Sequence, residues 1–340
     1  MESPLLGKNN TELKSLVEDL GLPSFTAKQL SQWIYGKRVK TIDECSNISN
    51  KNRELLKQNY IIGRHEAEKQ AVSKDGTIKY LYSTKSGAIE SVYIPDGDRA
   101  TLCVSSQVGC KMHCSFCATG QMGFHGQLTT DEILNQILST PRFDTLTNIV
   151  FMGMGEPMDN YDNVLRTLDV MTNPDYGLGW SPRRITVSTV GITPKVTQFL
   201  KESECHLAIS LHNPFSAERA ERMPVEKAYP IHDLIEQLTA FDFSHQRRLS
   251  FEYTLFDGWN DTTRHAAALV RLLKNLDCRV NLIRYHSIGD AKIKGSNQDR
   301  SVMFQDYLNN HGITATIRKS RGEDISAACG LLATQNKNRL

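Results

Sequence analysis

Three cysteines lie close together in the sequence, with the spacing C-x3-C-x2-C at Cys110, Cys114 and Cys117. The chain has eight cysteines in 340 residues, so this spacing would seldom arise by chance and indicates a set of ligands. A structural zinc ion needs four ligands, and His113 or His125 could supply the fourth. An iron–sulfur cluster usually takes four thiolates, so three would leave one iron open as a reaction site. Both kinds of site are compatible with the residues alone.

The same spacing resembles that of the radical S-adenosylmethionine (SAM) enzymes. In that superfamily the open iron chelates the methionine portion of SAM, and an electron from the cluster cleaves the sulfonium to a 5′-deoxyadenosyl radical. Phe116 stands before the last cysteine, where the superfamily commonly carries an aromatic residue. Residues 153–156 (GMGE) are similar to the segment that receives the methionine amino group, because glycines allow close backbone approach and a carboxylate accepts from an ammonium. The spacing therefore favours radical chemistry over zinc.

Alternating strands and amphipathic helices must position these residues. Segments rich in Val, Ile, Thr and aromatic residues predict strands over 101–105, 148–152, 185–189, 206–211, 249–256, 280–285 and 314–318. Apolar residues at helical spacing predict helices over 129–139, 163–171, 193–201, 231–241, 262–275 and 301–310. Such alternation is typical of a parallel sheet of βα units, either a barrel or a doubly wound layer.

The positions of the chemically versatile residues favour a barrel. In a βα barrel, functional residues lie at the carboxyl ends of the strands, on the βα loops. The cysteine motif, residues 153–156, Ser188, Ser210 and His286 all end or follow a predicted strand. We therefore expect these residues to meet at one end of the sheet.

Two smaller regions precede the barrel. Residues 1–62 are predicted to form a helical accessory domain, because apolar residues recur at helical spacing on both sides of a break at residues 21–23. Residues 63–98 are predicted to form a β-meander, with strands over 66–73, 77–84 and 88–94 and turns at Asp75-Gly76 and Ser86-Gly87. The barrel is expected over residues 99–330, and residues 331–340 are expected to form a tail.

Composition places the chain among globular proteins, with 39% hydrophobic and 23% charged residues. The sequence has no apolar run of the roughly 18 residues that a membrane span requires, and no signal segment opens it. Its cysteines are too sparse for a secreted disulfide scaffold. We therefore expect a cytoplasmic protein without membrane association, in which thiols stay reduced.

The net charge of +2 is unevenly distributed along the chain. Residues 1–85 carry 14 Lys and Arg against 10 Asp and Glu, residues 86–263 carry 13 against 22, and residues 264–340 carry 13 against 6. Basic flanks around an acidic middle are compatible with a polyanion held by the flanks. The alternative is ordinary solvated surface.

Four stretches of the sequence resemble the RlmN/Cfr family of RNA adenine methyltransferases. They are residues 101–110 (TLCVSSQVGC), 114–120 (CSFCATG), 151–157 (FMGMGEP) and 321–330 (RGEDISAACG). The resemblance extends from about residue 90 to residue 330 and, less specifically, to the N-terminal helices. It implies an α/β fold with a partial (β/α)6-type TIM barrel of the radical SAM class. It also implies two SAM molecules per turnover and one [4Fe–4S] cluster on Cys110, Cys114 and Cys117.

The resemblance further implies two functional cysteines and a base. Carbon 2 of adenine is electron-poor, so it cannot attack the sulfonium methyl group directly. In the family, Cys329 first takes a methyl group from one SAM by polar displacement. A radical made from a second SAM removes hydrogen from that methyl group, and the resulting methylene radical adds to the ring. Glu90 then removes the ring proton, and Cys103 attacks Cys329 to release the product with a Cys103–Cys329 disulfide.

For SAM, the resemblance implies contacts from Gly155, Glu156, Ser188, Ser210, Leu211, His212 and His286. Many relatives carry Asn at the position of His286, so this chain departs from the family pattern there, and a structural histidine is the alternative. Three cysteines match no motif and are expected to serve only in packing, namely Cys45, Cys205 and Cys278.

The family contains two activities, methylation of adenine carbon 2 and methylation of carbon 8, which confers antibiotic resistance. Glu156-Pro157 and residues 321–324 favour carbon 2, although Arg284-Tyr285 also occurs in the carbon-8 branch. The implied partners are 23S rRNA at the peptidyl-transferase centre, tRNA at the adenine 3′ to the anticodon, and an electron donor such as a flavodoxin or ferredoxin. We expect a monomer. A non-catalytic RNA-binding protein with structural zinc is the hypothesis of a different class.

Overall fold

Fourteen strands are present in residues 2–245 and 247–333, the part of the chain that the computed structural model describes. They are β1 (Ser3–Pro4), β2 (Tyr60–Ile61), β3 (Lys69–Val72), β4 (Ile78–Thr84), β5 (Gly87–Asp96), β6 (Arg99–Cys103), β7 (Gln107–Gly109), β8 (Phe124–Gln127), β9 (Asn148–Phe151), β10 (Ile185–Thr189), β11 (His206–Ser210), β12 (Leu249–Leu255), β13 (Cys278–Arg284) and β14 (Thr314–Ile317).

The α-helices of the same residues are α1 (Asn10–Asp19), α2 (Thr26–Ser31), α3 (Asn50–Lys57), α4 (Ala118–Gln121), α5 (Thr130–Leu138), α6 (Tyr161–Thr172), α7 (Thr193–Glu202), α8 (Ser216–Arg222), α9 (Ile231–Leu238), α10 (Thr263–Leu273) and α11 (Gln298–Asn310). A π-helical turn follows α2 at Gln32–Gly36. None of the helices described combines the length and the apolar character that crossing a bilayer requires.

One ten-stranded sheet forms the body of the protein, in the order β14-β13-β12-β11-β10-β9-β6-β5-β4-β3. Within this sheet the pairings among β6, β9, β10, β11, β12, β13 and β14 are all parallel, and at least one helix lies between each of these seven strands and the next one of the set. Six βα units followed by a last strand make the partial (β/α)6-type barrel that was expected. The predicted barrel strands and helices are found with boundaries that differ by at most a few residues.

The helices cover the barrel because each has one apolar face. In α5, Ile133, Leu134 and Ile137 are fully buried, and Glu132 closes a capping box with Thr129 at the start of the helix. The outward residues of the strands pack beneath these faces, which explains why the strand segments are rich in branched apolar side chains.

The β-meander belongs to the same sheet as the barrel. β3, β4, β5 and β6 pair as consecutive antiparallel strands. The predicted boundary near residue 98 lies in a two-residue turn, because Asp96 pairs with Arg99 across Gly97-Asp98 and Gly97 has φ 59°. The meander therefore extends the barrel sheet rather than standing apart from it.

The N-terminal helices bury apolar residues such as Leu13, Val17, Leu30 and Ile34, and these belong to the same continuous hydrophobic core as the barrel. Contacts with the barrel come from Ser31, whose hydroxyl donates to the Tyr176 carbonyl at 2.7 Å, and from the ion pair of Glu12 with Arg166 at 2.7 Å. Of the predicted tail, residues 334–340 lie outside the described part of the chain.

Candidate active site

The cysteine motif begins at a hairpin that the sequence patterns did not reveal. β7 and β8 pair on either side of it, and the Cys110 amide donates to the Gly123 carbonyl at 2.9 Å. Gly109 has φ +74°, and a Cβ there would lie 1.8 Å from the Gly123 oxygen. Only glycine fits this close approach, so the hairpin sets where the first cysteine stands.

The three thiols form a donor set suited to an iron–sulfur cluster. Cys110 and Cys114 are buried, and Cys117 is partly exposed. Burial raises the pKa of Cys110 to about 12 and, together with the neighbouring thiols Cys117 and Cys110, raises that of Cys114. Neighbouring thiols oppose one another's ionisation, and a cationic cluster that replaces their protons stabilises the thiolates. The donor set therefore fits the cluster that the motif implies.

The zinc hypothesis receives no support from the histidines near the motif. His113 and His125 are both exposed, and His125 contacts the Met122 carbonyl at 3.2 Å. Within residues 2–245 and 247–333, no three His, Cys, Asp or Glu side chains converge closely enough to hold a single metal ion.

The glycine-rich segment after β9 lies against the start of the cysteine hairpin. Gly155 has φ +100°, and a Cβ there would stand 2.5 Å from the Cβ of Gln107. A Cβ at Gly153 would stand 2.7 Å from both the Ser105 hydroxyl and the Val104 carbonyl oxygen. Both positions require glycine for packing reasons, which explains the local sequence without invoking a ligand.

Glu156 is fully enclosed and links two βα loops. Its carboxylate accepts from the Met158 amide at 2.9 Å and from the Val190 amide, just after β10, at 2.9 Å. Burial raises the pKa of Glu156 to about 7, although Thr189 and these two amides stabilise the carboxylate. The side chain can thus hold the loops after β9 and β10 in register while retaining lone pairs for a ligand.

The sheet register places the polar strand residues on one face. Thr186 pairs with Val150, which pairs with Cys103, so Ser188, two residues beyond Thr186, lies on the same face as Cys103. In the same way Ser188 pairs with Ala208, two residues before Ser210.

His212 follows β11 in a left-handed conformation, with φ 55°. It is buried, and its Nδ1 accepts from the Thr254 amide at 2.9 Å. Burial and the nearby Arg219 lower its pKa to about 3, so the ring is neutral and carries its proton on Nε2. Phe116 packs edge-on against it at 5.1 Å between ring centroids, which joins the cysteine loop to the end of β11. Leu211 is fully buried beside it.

Arg219 on α8 organises this end of the barrel, and sequence analysis missed it. The side chain is completely buried and donates to the carbonyls of Leu211 at 3.0 Å, Ser210 at 3.0 Å and Val190 at 2.8 Å. It also pairs with the buried Glu226. An arginine in a charged helix predicts a solvated residue, so no local pattern reveals this role.

His286 lies just beyond β13 and is half-buried. Its Nε2 is 2.8 Å from the Ser320 hydroxyl, and its Nδ1 is 3.9 Å from Glu323. Burial lowers its pKa below the usual range, although Glu323 opposes the change. These contacts connect β13 to the segment that leads to Cys329.

Cys329 lies between Cys103 and the cysteine motif. The following residue, Gly330, accepts from the Ala118 amide at 2.8 Å, just after Cys117. Burial, Glu252 and Cys117 raise the pKa of Cys329 to about 12, while burial and Cys329 raise that of Cys103 to about 12. Cys329 is exposed to solvent, although enough protein lies around its thiol to raise the pKa. Both cysteines are free thiols in this structure.

Glu90 on β5 lies on the same sheet face as Cys103. Cys103 pairs with Val92, two residues from Glu90. The Glu90 carboxylate is buried, pairs with Lys79 at 3.0 Å and accepts from the Ala333 amide at 3.0 Å. Burial raises its pKa, and Lys79 opposes the rise. Sequence analysis did not single out Lys79.

The cysteines expected to serve in packing lie within or against the hydrophobic core. Cys45 and Cys205 are buried in it, and Cys278 packs against it. Cys103 belongs to the same core, so burial alone does not distinguish it from these three.

A partial βα barrel with three cysteines on the loop after its first parallel strand defines the radical SAM class. The family model of the radical SAM superfamily matches residues 104–270, and that of the ribosomal RNA large subunit methyltransferase N-terminal domain matches residues 3–62. A crystal structure of a radical SAM methyltransferase from Sphaerobacter thermophilus superposes with a TM-score of 0.91 at 38% identity, covering 97% of this chain and 98% of the other.

Relatives that match nearly the whole chain identify its family within the radical SAM class. The chain is 56% identical to a probable dual-specificity RNA methyltransferase RlmN of Bacteroides thetaiotaomicron, over 97% of this chain and 96% of the relative. It is 40% identical to a dual-specificity RNA methyltransferase RlmN of Syntrophobacter fumaroxidans, over 95% and 96%. The chain belongs to the RlmN family of radical SAM RNA methyltransferases, and it uses a [4Fe–4S] cluster and SAM.

Proposed function

We propose that the protein methylates carbon 2 of one adenine in 23S rRNA and of the adenine 3′ to the anticodon in tRNA, through an S-methylcysteine at Cys329. The proposal is carried by the grouping of Cys329 with Cys103 and Cys117 at the carboxyl end of the barrel. A methyl carrier, a resolving thiol and a cluster ligand are the thiols that this reaction needs. Glu90, on the same sheet face as Cys103, supplies the base.

Cys110, Cys114 and Cys117 would hold the cluster. When bound, the [4Fe–4S] cluster supplies the electron that turns one SAM into the radical that removes hydrogen from the S-methyl group. The residues proposed to bind SAM lie at the carboxyl ends of β10 and β11 or in the segments that follow β9, β11 and β13, and they are Gly155, Glu156, Ser188, Ser210, Leu211, His212 and His286. Glu156 and Arg219 tie these loops to one another and so fix the distances between the groups they present.

The chain's own residues carry the remaining steps. Cys329 loses its proton to solvent, and its thiolate attacks the methyl carbon of a first SAM. A bond forms between the Cys329 sulfur and the methyl carbon as the bond from that carbon to the sulfonium breaks, and S-adenosylhomocysteine leaves. After the methylene radical has added to the adenine, the ring carries one unpaired electron, which would return to the cluster. Glu90 takes the ring proton, and the ring becomes aromatic again. The Cys103 thiolate then attacks the sulfur of Cys329 and forms a disulfide as the bond from that sulfur to the methylene carbon breaks. The methylene carbon keeps the electron pair and takes up a proton, which gives the methyl group of the product. Reduction of the disulfide restores both thiols.

Several features of the setting belong to the same proposal. We divide the chain into an accessory domain at 1–62, a meander at 63–98, a barrel at 99–330 and a tail at 331–340. The basic flanks of the sequence are proposed to hold the RNA backbone. A flexible or splayed adenine is needed because the base must leave its stack to reach the barrel opening. The proposed electron donor is a flavodoxin or ferredoxin, and the enzyme is proposed to act as a monomer in the cytoplasm.

Nucleoside mass spectrometry tests the proposal. The anaerobically reconstituted enzyme is incubated with SAM, reductant and unmodified 23S rRNA fragments or tRNA, and the digested nucleosides are analysed. We expect 2-methyladenosine at one position in each RNA, and none with Cys329→Ala. A main product of 8-methyladenosine would overturn the assignment of carbon 2. Methylation of rRNA alone would remove tRNA from the proposal.

A further inference from the structure

Lys79 and Glu90 form a buried ion pair, and the proposed reaction gives a role only to Glu90. The Lys79 ammonium lies 3.0 Å from a Glu90 oxygen, and each side chain is only 3% exposed. Leu81 pairs with Glu90 across β4 and β5, so Lys79 is the diagonal neighbour of Glu90 on one face of the sheet. Val92 stands between Lys79 on one side and Cys103 on the other. Lys79 therefore lies in the same cross-strand row as the resolving thiol, and Glu90 lies in the neighbouring row on the same face.

A buried ion pair is a poor device for stability alone. Removing two charges from water costs several kcal/mol per ion, and a well-packed apolar pair is often at least as stable. A buried carboxylate without a cation would keep its proton, because burial disfavours its charged form. A general base must have lost its proton before it acts. Lys79 opposes the effect of burial on the pKa of Glu90 and so favours the form that a base needs.

Lys79 also reaches the segment that carries the methyl-bearing cysteine. Its ammonium donates to the Ser326 carbonyl at 3.4 Å, and Ser326 adopts the left-handed conformation with φ 52°. A left-handed serine is uncommon and is maintained by its surroundings. Cys329 follows three residues later, so one ammonium contacts both the base and the segment of the methyl carrier.

Other meander contacts hold the same segment in place. The Asp75 carboxylate accepts from the Gly322 amide at 3.0 Å, and the Ser73 hydroxyl donates to Asp324 at 2.5 Å. These contacts fix the segment without Lys79, so a change at Lys79 need not detach it. Toward Glu90, Lys79 is the charged neighbour among the described residues, coming from β4. The contact from the C-terminal segment is the neutral amide of Ala333.

We propose that Lys79 is a positioning residue for adduct resolution, holding Glu90 as a carboxylate and aligning it with the segment that carries Cys329. This inference rests on the proposed role of Glu90 as the base. In the step concerned, the ring carbon–hydrogen bond breaks, the proton goes to a Glu90 oxygen and the electron pair stays on the adduct. Lys79 keeps its contact with the Ser326 carbonyl during this step. It acts through Glu90 and touches neither SAM nor the reacting carbon.

The test compares Lys79→Met, Lys79→Arg and Glu90→Gln in the full chain with its cluster. Cys329 methylation is read by mass spectrometry of the protein, adduct by denaturing gel with labelled RNA, and turnover as a function of pH. For Lys79→Met we expect normal Cys329 methylation, accumulated adduct and turnover reduced about 10- to 100-fold at neutral pH, within the ~10²–10⁴-fold that a general base contributes. Turnover should recover as pH rises, because the unpaired Glu90 loses its proton only at higher pH. Lys79→Arg should restore most of the rate.

The outcomes separate this inference from the proposed function. Glu90→Gln without adduct would overturn the base role of Glu90 itself. Adduct in Glu90→Gln but wild-type turnover and pH profile in Lys79→Met would overturn the role of Lys79 alone. Equal losses of Cys329 methylation and adduct in Lys79→Met would indicate a purely structural role for Lys79 and would also overturn the inference. If Lys79→Met fails to fold, Lys79→Gln keeps a donor without the charge, and the same pH-dependent loss is expected.

Discussion

The thiol of Cys329 lies near enough to Cys103 to raise the pKa of that buried thiol, although the two residues stand at opposite ends of the barrel sequence. Cys103 ends the first parallel strand, and Cys329 follows the last one. The partial barrel brings the two ends of its own sequence together, which places a second thiol beside the proposed methyl carrier.

Removing either thiol should stop the reaction at a different stage. We expect Cys329→Ala to give no turnover and no protein–RNA adduct, because no methyl carrier remains. Cys103→Ala should accumulate a covalent adduct, because the thiol that releases it is absent. A denaturing gel with labelled RNA distinguishes the two. Full turnover in Cys103→Ala would contradict the resolving role.

Loss of one motif cysteine should remove the cluster. For Cys114→Ser we expect iron and acid-labile sulfide to fall from about four per chain to near zero, together with the broad absorbance near 400 nm. Cys278→Ser is the matched control, because Cys278 packs against the core away from the motif, and its iron content should be unchanged. One zinc and no sulfide in the anaerobically purified wild type would contradict the iron–sulfur assignment.

Gly155→Ala should damage the SAM site through a steric clash. The new Cβ would lie 2.5 Å from the Cβ of Gln107, and we expect a loss of about 1–3 kcal/mol in stability and weaker SAM binding. Gly289→Ala is a close control for backbone strain, because Gly289 has φ +104° against +100° at Gly155 but open space around it. Calorimetric titration with SAM measures the difference. Equal effects of the two substitutions would show that strain alone, and not packing on Gln107, is responsible.

The protein should lose stability as His212 is forced to take a proton. Burial lowers its pKa from 6.5 to about 3, so the unfolded chain binds more protons between these values. The free energy of unfolding should therefore fall as pH falls from 6.5 towards 3, by at most about 1.4 kcal/mol per pH unit from this group. When the free energy of unfolding is measured by urea denaturation between about pH 5 and 7, its dependence on pH should be weaker in His212→Gln than in the wild type. Identical slopes in the wild type and His212→Gln would contradict the prediction.

Local patterns predicted much of the barrel because each strand and helix has its own short-range pattern of apolar residues. β10 was predicted over 185–189 and is found at Ile185–Thr189, since branched residues and a flanking turn mark it without help from other segments. The hairpin of β7 and β8 was missed because each strand is only three or four residues long, which is too short to show an alternating pattern. Its pairing depends on the close approach of Gly109 to Gly123.

The sequence by itself determined the chemistry available to this protein, because the three-cysteine spacing and the residue types around it are local facts. The tertiary structure decided which groups act together. Lys79 meets Glu90 and Ser326, and Arg219 holds three carbonyls at the barrel end, only because strand register and loop packing bring distant segments into contact. Burial, which sets the pKa of the thiols and carboxylates, is a property of that packing and has no local signal in the chain.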